Sequence, residues 1–396
     1  KFNEAYKLTG NVSLAKYRTV DPGTVNSPLL DHVMNIFRGT SSFGFENNHE
    51  KTSGALRFFY SWGHHKINDG YTPGENPRKY LFYSDDHNAG VQLYQSFRLL
   101  PGNTITAGFD YKNWGGHAWN DSVNGKLGEI VDKTVNEAAG YTIVQQDFGI
   151  LSLNGGIRYE HSSAYSGEWV PQAGFSIRPM KGNVIKGSFS KGYRSPTLRE
   201  LYISYLPYSK ANSNLKPESM LNYELSVGQY FIENRLHTEL TGFYIEGKNM
   251  ISLVQRQLNN VNHFYNSGIE FETDFQAFKN LSFDMNYSYL HTNKTLIAAP
   301  KHKLYAGITY TPGRFIFDVN VQSIFGLYTY VGNTETDNKK EDYTVLNAKI
   351  SYHLGNIHKG SNLFIKGENL TATRYSINDG YPMPKAIFMG GIDVIF

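Results

Sequence analysis

The 396-residue chain contains no cysteine, which excludes disulfide staples, thiolate metal sites and cysteine nucleophiles while leaving the compartment open. Charge is sparse as well. Asp, Glu, Lys and Arg make up 18% of the residues, and the formal net charge of +3 is too balanced to argue for a nucleic-acid partner. No apolar run approaches the roughly 18 residues a transmembrane helix needs. That excludes an α-helical membrane protein and says nothing against a membrane barrel, whose strands hide their apolar face in alternation. The chain opens at Lys1 without a signal peptide, as expected of a mature form or a fragment. What the chain does have is Tyr (29), Phe (25) and Gly (38) in abundance, the mark of a large soluble β-protein or an outer-membrane barrel.

Period-2 alternation marks the strands, and their length and connections decide between these. In Leu281–Tyr289 the odd positions are Leu, Phe, Met, Tyr and Tyr, and the even ones Ser282, Asp284, Asn286 and Ser288. Phe315, Phe317, Val319 and Val321 alternate with Asp318, Asn320 and Gln322, and Leu346, Ala348, Ile350 and Tyr352 with Asn347, Lys349, Ser351 and His353. A soluble sandwich alternates too, but its strands cluster near 5–6 residues, whereas these run to roughly 10–13. Short and long connections also alternate strictly. Pro101-Gly102-Asn103, Lys181-Gly182-Asn183, Glu233-Asn234, Lys279-Asn280 and Pro312-Gly313 read as turns, and 63–86, 115–134, 195–218 and 326–342 as long polar loops.

The predicted fold is all-β, a transmembrane antiparallel up-and-down barrel of about 18 visible strands. Their spans are 4–17, 35–46, 52–62, 87–99, 103–114, 136–147, 150–161, 167–179, 183–194, 219–231, 234–253, 261–278, 280–292, 300–312, 314–326, 342–356, 361–373 and 384–396. No linker or repeat suggests a second domain within 1–396.

One break stands out. Pro196 cannot donate to a ladder and ends the strand 183–194. Thr197–Tyr205 reads as one or two helical turns, with Ser195 as its cap and Glu200 free to satisfy a nearby donor or pair with Arg199. Asn212 and Asn214 suit turns, and Pro217 stops one. The chain closes on Phe388, Ile392, Val394 and Phe396, an alternating strand with a terminal aromatic.

These pieces resemble the TonB-dependent outer-membrane receptors. The match runs through Gly192-Tyr-Arg194-Ser-Pro196-Thr-Leu-Arg-Glu200-Leu-Tyr202, Asn212-Ser-Asn-Leu215-Lys-Pro217-Glu218, Gly156-Ile-Arg-Tyr-Glu-His161, Glu368-Asn369-Leu370, Tyr375 and the final Phe396. It covers most of the chain from about residue 85, while residues 1–84 match only in style. The resemblance implies a bacterial outer-membrane receptor that takes up a bulky metal chelate with energy from a TonB–ExbB–ExbD complex. It carries no intrinsic cofactor, is inserted by the barrel assembly machinery among outer-membrane lipid and lipopolysaccharide, and binds no nucleic acid. The family also has an N-terminal plug inside a 22-stranded barrel. Here the first residues already read as strand, so the expectation is a C-terminal portion lacking plug and first strands; the alternative is an open porin of about 18 strands.

Ligand contacts are expected among Trp62, His64, His65, Tyr71, Trp114, His117, Trp119, Tyr202, Tyr205, Tyr208, Tyr328 and Tyr330. Aromatic faces suit a porphyrin, corrin or catecholate, and histidine suits a metal centre. Girdle aromatics are the bland alternative for each. Arg194, Pro196, Glu200, Asn212, Leu215, Pro217, Glu218, Asn369, Tyr375 and Phe396 read as mainly structural. An iron–siderophore complex is the favoured cargo. Cobalamin follows, and haem is weakened by the absence of histidine between Pro196 and Asn212. An enzyme would need a Ser/His set at one rim, but His161 and its neighbours Ser162 and Ser163 are adjacent in sequence and do not face one another in a strand.

Overall fold

The computed structural model describes residues 5–394 apart from 123–124, 205–208, 262, 333 and 356–359. Eighteen strands join in one antiparallel sheet. They are β1 (Tyr6–Val20), β2 (Leu30–Asn48), β3 (Thr52–Tyr71), β4 (Tyr80–Phe97), β5 (Asn103–Ser122), β6 (Gly125–Phe148), β7 (Leu151–Ser162), β8 (Glu168–Ile177) and β9 (Asn183–Arg194) in the first half of the chain. The second half adds β10 (Glu218–Phe231), β11 (Leu236–Lys248), β12 (Phe264–Phe278), β13 (Leu281–Thr292), β14 (His302–Tyr310), β15 (Phe315–Tyr330), β16 (Lys339–His353), β17 (Asn362–Glu368) and β18 (Ile387–Asp393). A five-residue helix, α1 (Leu198–Tyr202), follows β9. The chain divides into two compact units. The first holds 1–175, 188–222 and 246–263, and the second 176–187, 223–245 and 264–396.

In the first unit, cross-strand register sorts side chains into rows. One apolar row runs Leu8, Phe45, Leu56, Leu93, Phe109 across β1 to β5, and the next Gly10, Phe43, Phe58, Val91, Tyr111. The row between them points to the opposite face and reads Thr9, Gly44, Arg57, Gln92, Asp110, Ala139, Glu160. The second unit repeats the pattern. Phe283, Ile308, Val319 and Ala348 line up on one face, and Asp284, Gly307, Asn320 and Asn347 on the other. On the apolar face Tyr244, Tyr265 and His291 form a ladder of rings spaced 6.3 Å apart.

The apolar face is the bare one. Phe43, Phe58, Phe109 and Ile157 are each about half exposed, in the company of dozens of large apolar side chains. A soluble monomer does not leave so large a contiguous apolar surface in water, so this face meets lipid. The short connections hold the left-handed residues that such turns need: Gly102, Gly182 and Gly313 have φ of 72°, 78° and 61°, and Ile232, Glu233 and Asn234 run left-handed in succession.

Three sequence readings need correction. Residues 63–86 and 115–134 are not loops: β3 continues to Tyr71, β4 begins at Tyr80, and β5 and β6 continue to Ser122 and from Gly125. Their polar, glycine-rich composition hid the pairing, because above the apolar belt a ladder needs no apolar side chains. The span 234–253 is not one strand either. Asn249 turns left-handed at φ 57°, and Met250–Val254 pairs instead with Gln257–Val261 in a separate hairpin. Finally, α1 stops at Tyr202, short of the expected helical stretch to 205.

Lysine in place of Ile157, midway along β7 on the apolar face, should destabilise the folded protein in a bilayer by about 2–4 kcal/mol. Lysine at Asn154, on the polar face of the same strand, should cost well under half of that. Urea unfolding in lipid vesicles measures both, and equal losses would contradict the facial assignment.

Candidate functional site

The segment after β9 is fastened residue by residue. Thr197, not Ser195, caps α1: its hydroxyl accepts from the Glu200 amide at 3.2 Å, and the Glu200 carboxylate accepts from the Thr197 amide at 2.8 Å. Glu200 is free to do more because Arg194 clamps it with two bonds of 2.9 and 3.0 Å, while Arg194 Nε reaches Glu218 at 2.6 Å. The other Glu218 oxygen accepts from the Ile251 amide, tying the clamp to the 250–261 hairpin. Asn212 donates to the Leu258 carbonyl and accepts from the Asn214 amide, and Lys216 exchanges backbone bonds with the Asn260 side chain. Pro196, Leu215 and Pro217 are buried beneath this network. Ser195, freed from capping, bonds the Tyr165 hydroxyl, which also donates to the buried Glu137. Burial and that carboxylate push the Tyr165 phenol far above its usual pKa.

The polar face of the first unit carries a charged network that alternation alone did not single out. Arg158 bridges Asp110 (2.5 Å) and Glu160 (2.8 Å), and Lys112 reaches Glu137 at 2.5 Å. Higher on the same face, Arg38 holds Asp86 at 2.7 Å, and Asp86 holds His65 at 3.2 Å. Gly63 makes room for this cluster: a Cβ there would stand 2.4 Å from Asp86 Oδ2 and 2.9 Å from His65 Nε2. The signal for both groups was in the sequence, but only as register. Lys112 faces Glu137, and Gly63 lies between Arg38 and Asp86 across three strands.

A family described as TonB dependent receptor-like, beta-barrel matches residues 3–370. The chain belongs to this family. It is a family of outer-membrane receptors and transporters, not enzymes. Among solved structures, the ferric enterobactin receptor PfeA of Pseudomonas aeruginosa shares the fold at a TM-score of 0.83 and 16% identity, covering 99% of this chain and 67% of that one. The iron-regulated outer membrane virulence protein of Vibrio cholerae is 23% identical over 58% of this chain and 41% of its own length. The vitamin B12 transporter BtuB of Photobacterium profundum is 23% identical over 67% of this chain and 44% of its own. The chain thus spans under half the length of these two curated relatives.

Membership makes the apolar face the lipid side and the polar face the inner wall, and this sorts the expected ligand contacts. His65 and Trp114 share the polar face, Trp114 between Asn88 and Val135. Trp62, His64, His117 and Trp119 stand on the lipid-side face, on strands instead of loops: His64 bonds Asp85 at 2.6 Å, His117 stacks on Trp119, and Trp119 on Tyr83. Tyr71 ends β3 opposite Leu30. Tyr202 closes α1 beneath the Lys133 ammonium, and Tyr328 and Tyr330 lie in β15 beneath Lys340 and Lys339. In the second unit, Asn369 is buried and bonds the Thr373 and Pro384 carbonyls, and Tyr375 stacks on Tyr343 at 4.0 Å. Tyr205, Tyr208 and Phe396 lie outside the described residues.

The clamp has a pH signature. Burial raises the Glu200 carboxyl, but the Arg194 bonds and the Thr197 cap outweigh it, so its pKa lies below the usual glutamate value. A lowered carboxylate stabilises the fold above its unfolded pKa, and this is lost as pH falls through the folded one. Limited proteolysis within 195–218 should therefore accelerate as pH drops below about 4.3. Glu200→Gln should be cleaved faster at pH 7 and lose that acceleration; an unchanged pH profile would contradict the clamp.

Proposed function

We propose that this chain is the barrel portion of a longer receptor that captures an anionic metal chelate, best an iron–siderophore complex, and imports it with TonB energy. The observation that carries the reading is the Arg38–Asp86–His65 cluster on the upper inner wall. Asp86 and His65 fix the Arg38 guanidinium in place, and Arg38 keeps 41% of its side chain exposed. A preorganised guanidinium recognises carboxylate or catecholate oxygens with little ordering cost. The likeness to a ferric enterobactin receptor supports the cargo class, since the fold is shared along nearly the whole chain. The match to a vitamin B12 transporter supports cobalamin as the second reading.

In this reading a plug and further strands belong to the whole receptor, and ExbB–ExbD supply TonB with the proton gradient. The barrel assembly machinery inserts the chain beside lipopolysaccharide. A receptor isolated from native outer membranes would then exceed the 44.9 kDa of this chain. A native mass of 44.9 kDa would leave an open pore and sink TonB-gated uptake.

Iron-starved cells carrying the full gene should accumulate radiolabelled ferric siderophore and stop when a protonophore collapses the gradient. Arg38→Ala should weaken binding about tenfold, and Gly63→Ala should weaken it by displacing Asp86 and His65. Uptake of cobalamin without uptake of any ferric siderophore would select the second reading.

A further inference from the structure

We propose that Lys112, Glu137, Tyr165 and Ser195 form a charge-controlled latch: the segment 195–218 stays fastened while Lys112 neutralises Glu137, and loosens when that cation is drawn away. The four side chains run in series from the polar wall to the root of the segment. Lys112 of β5 faces Glu137 of β6 in register, and its Nζ lies 2.5 Å from Glu137 Oε2. The Tyr165 hydroxyl, in the connection between β7 and β8, bonds Glu137 Oε1 on one side and the Ser195 hydroxyl on the other. A phenol has one proton and an ionised carboxylate has none to give, so Tyr165 donates to Glu137 and Ser195 donates to Tyr165. The charge on Glu137 thus sets the direction of every bond in the series.

Tyr165 is a fixed peg. Ser163 donates its amide to the Asn136 carbonyl and accepts the Asn136 amide on its hydroxyl, both at 2.9 Å, and Ser162 Oγ accepts from the Ala164 amide at 3.2 Å. These bonds tie the connection to β6 beside Glu137 without help from the segment 195–218. The moving part is Ser195. It precedes Pro196, which has no N–H to offer the sheet, so the segment leaves the wall where a side chain and not a ladder holds it. The Arg194 clamp and the Thr197 cap flank this point and fasten the segment to itself and to the 250–261 hairpin.

Burial makes the control electrostatic. Glu137 keeps 1% of its side chain exposed, and Glu160, 3.8 Å from the same ammonium, keeps 5%. Among the described residues Glu137 Oε2 has no donor besides Lys112, and the nearby Arg158 is engaged by Asp110 and Glu160. Taking one member from a buried pair leaves a bare charge, which costs far more than losing a surface bridge. Glu137 then turns toward water or takes up a proton, and in either state its hold on Tyr165 weakens. Lys112 itself keeps 41% of its side chain exposed on the polar face. A carboxylate or phosphate arriving there competes with Glu137 for it, and an anion at the wall thereby loosens the segment above.

Trypsin tests the latch at pH 7 on the full-length receptor in outer-membrane fragments, with Arg199 and Lys210 as its sites in the segment. Lys112→Met, which stands in for a cation drawn away, should be cut there about tenfold faster than the wild type. Adding Glu137→Gln removes the bare charge as well and should bring the rate back to within about threefold of the wild type. Lost packing around residue 112 would show no such rescue. Tyr165→Phe should raise the rate about fivefold, and Lys112→Met should add nothing in that background, because the link is already cut. Lys186→Met, which breaks an ion pair with Glu239 elsewhere on the polar face, should be cut as the wild type. Heat-modifiable migration on gels checks that each variant is folded; if Lys112→Met is not, Tyr165→Phe and Ser195→Ala decide, since both must open the segment. A wild-type rate in folded Lys112→Met (or, failing that, in Tyr165→Phe and Ser195→Ala), no rescue by Glu137→Gln, or multiplying effects of Lys112→Met and Tyr165→Phe would each overturn the proposal.

Discussion

Lipid offers no hydrogen-bond partner, so every peptide group in the apolar belt has to find one on a neighbouring strand. The rest of the structure depends on this constraint. It enforces an unbroken antiparallel ladder, and the ladder enforces period 2. Period 2 in turn gives the chain a second face that lipid never sees. Arg57, Asp110, Arg158 and Glu160 occupy that face at the same height at which Phe43, Phe58 and Phe109 meet lipid. The two faces are separated by one backbone, so a one-residue slip would expose the charges to acyl chains and bury the phenylalanines among them.

Where the ladder rises above the belt, the constraint relaxes and local chemistry takes over. Pro196 ends pairing, and the chain is then held by side chains instead of by sheet: the Thr197–Glu200 capping box, the Arg194 clamp on Glu200 and Glu218, and the Asn212 and Asn260 bonds to the 250–261 hairpin. Each of these is a charge-assisted or backbone-directed bond at the edge of water. The segment's order rests on many modest contacts and on three buried apolar residues, Pro196, Leu215 and Pro217.

The fold was legible wherever lipid imposed alternation. Leu281–Tyr289, the strand from Phe315 and the strand from Leu346 lie as their phase predicts, and the turns at Gly102, Gly182 and Gly313 carry the left-handed glycines their sequence called for. Legibility failed above the belt. His64, Lys66, Tyr83 and His117 are polar or amphipathic on both sides of the pairing, so composition resembled loop where the backbone is strand. The clamp was half legible: Glu200 was expected to satisfy a donor, but its partner Arg194 and cap Thr197 depend on how the chain turns at Pro196. The Arg38–Asp86–His65 cluster was illegible, since its members come from three strands and only pairing register unites them.

The extended pairing of β3 with β4 and of β5 with β6 has a kinetic side. Surface segments of that length, if unpaired, would sample many shapes and would have to be ordered by whatever they capture, at an entropic cost for each residue fixed. Here the ladder already sets the walls, so on the proposed function a solute would meet a surface that discriminates by shape and charge at first contact. On that reading selectivity would reside in the rate of escape and not in a slow folding step around the guest.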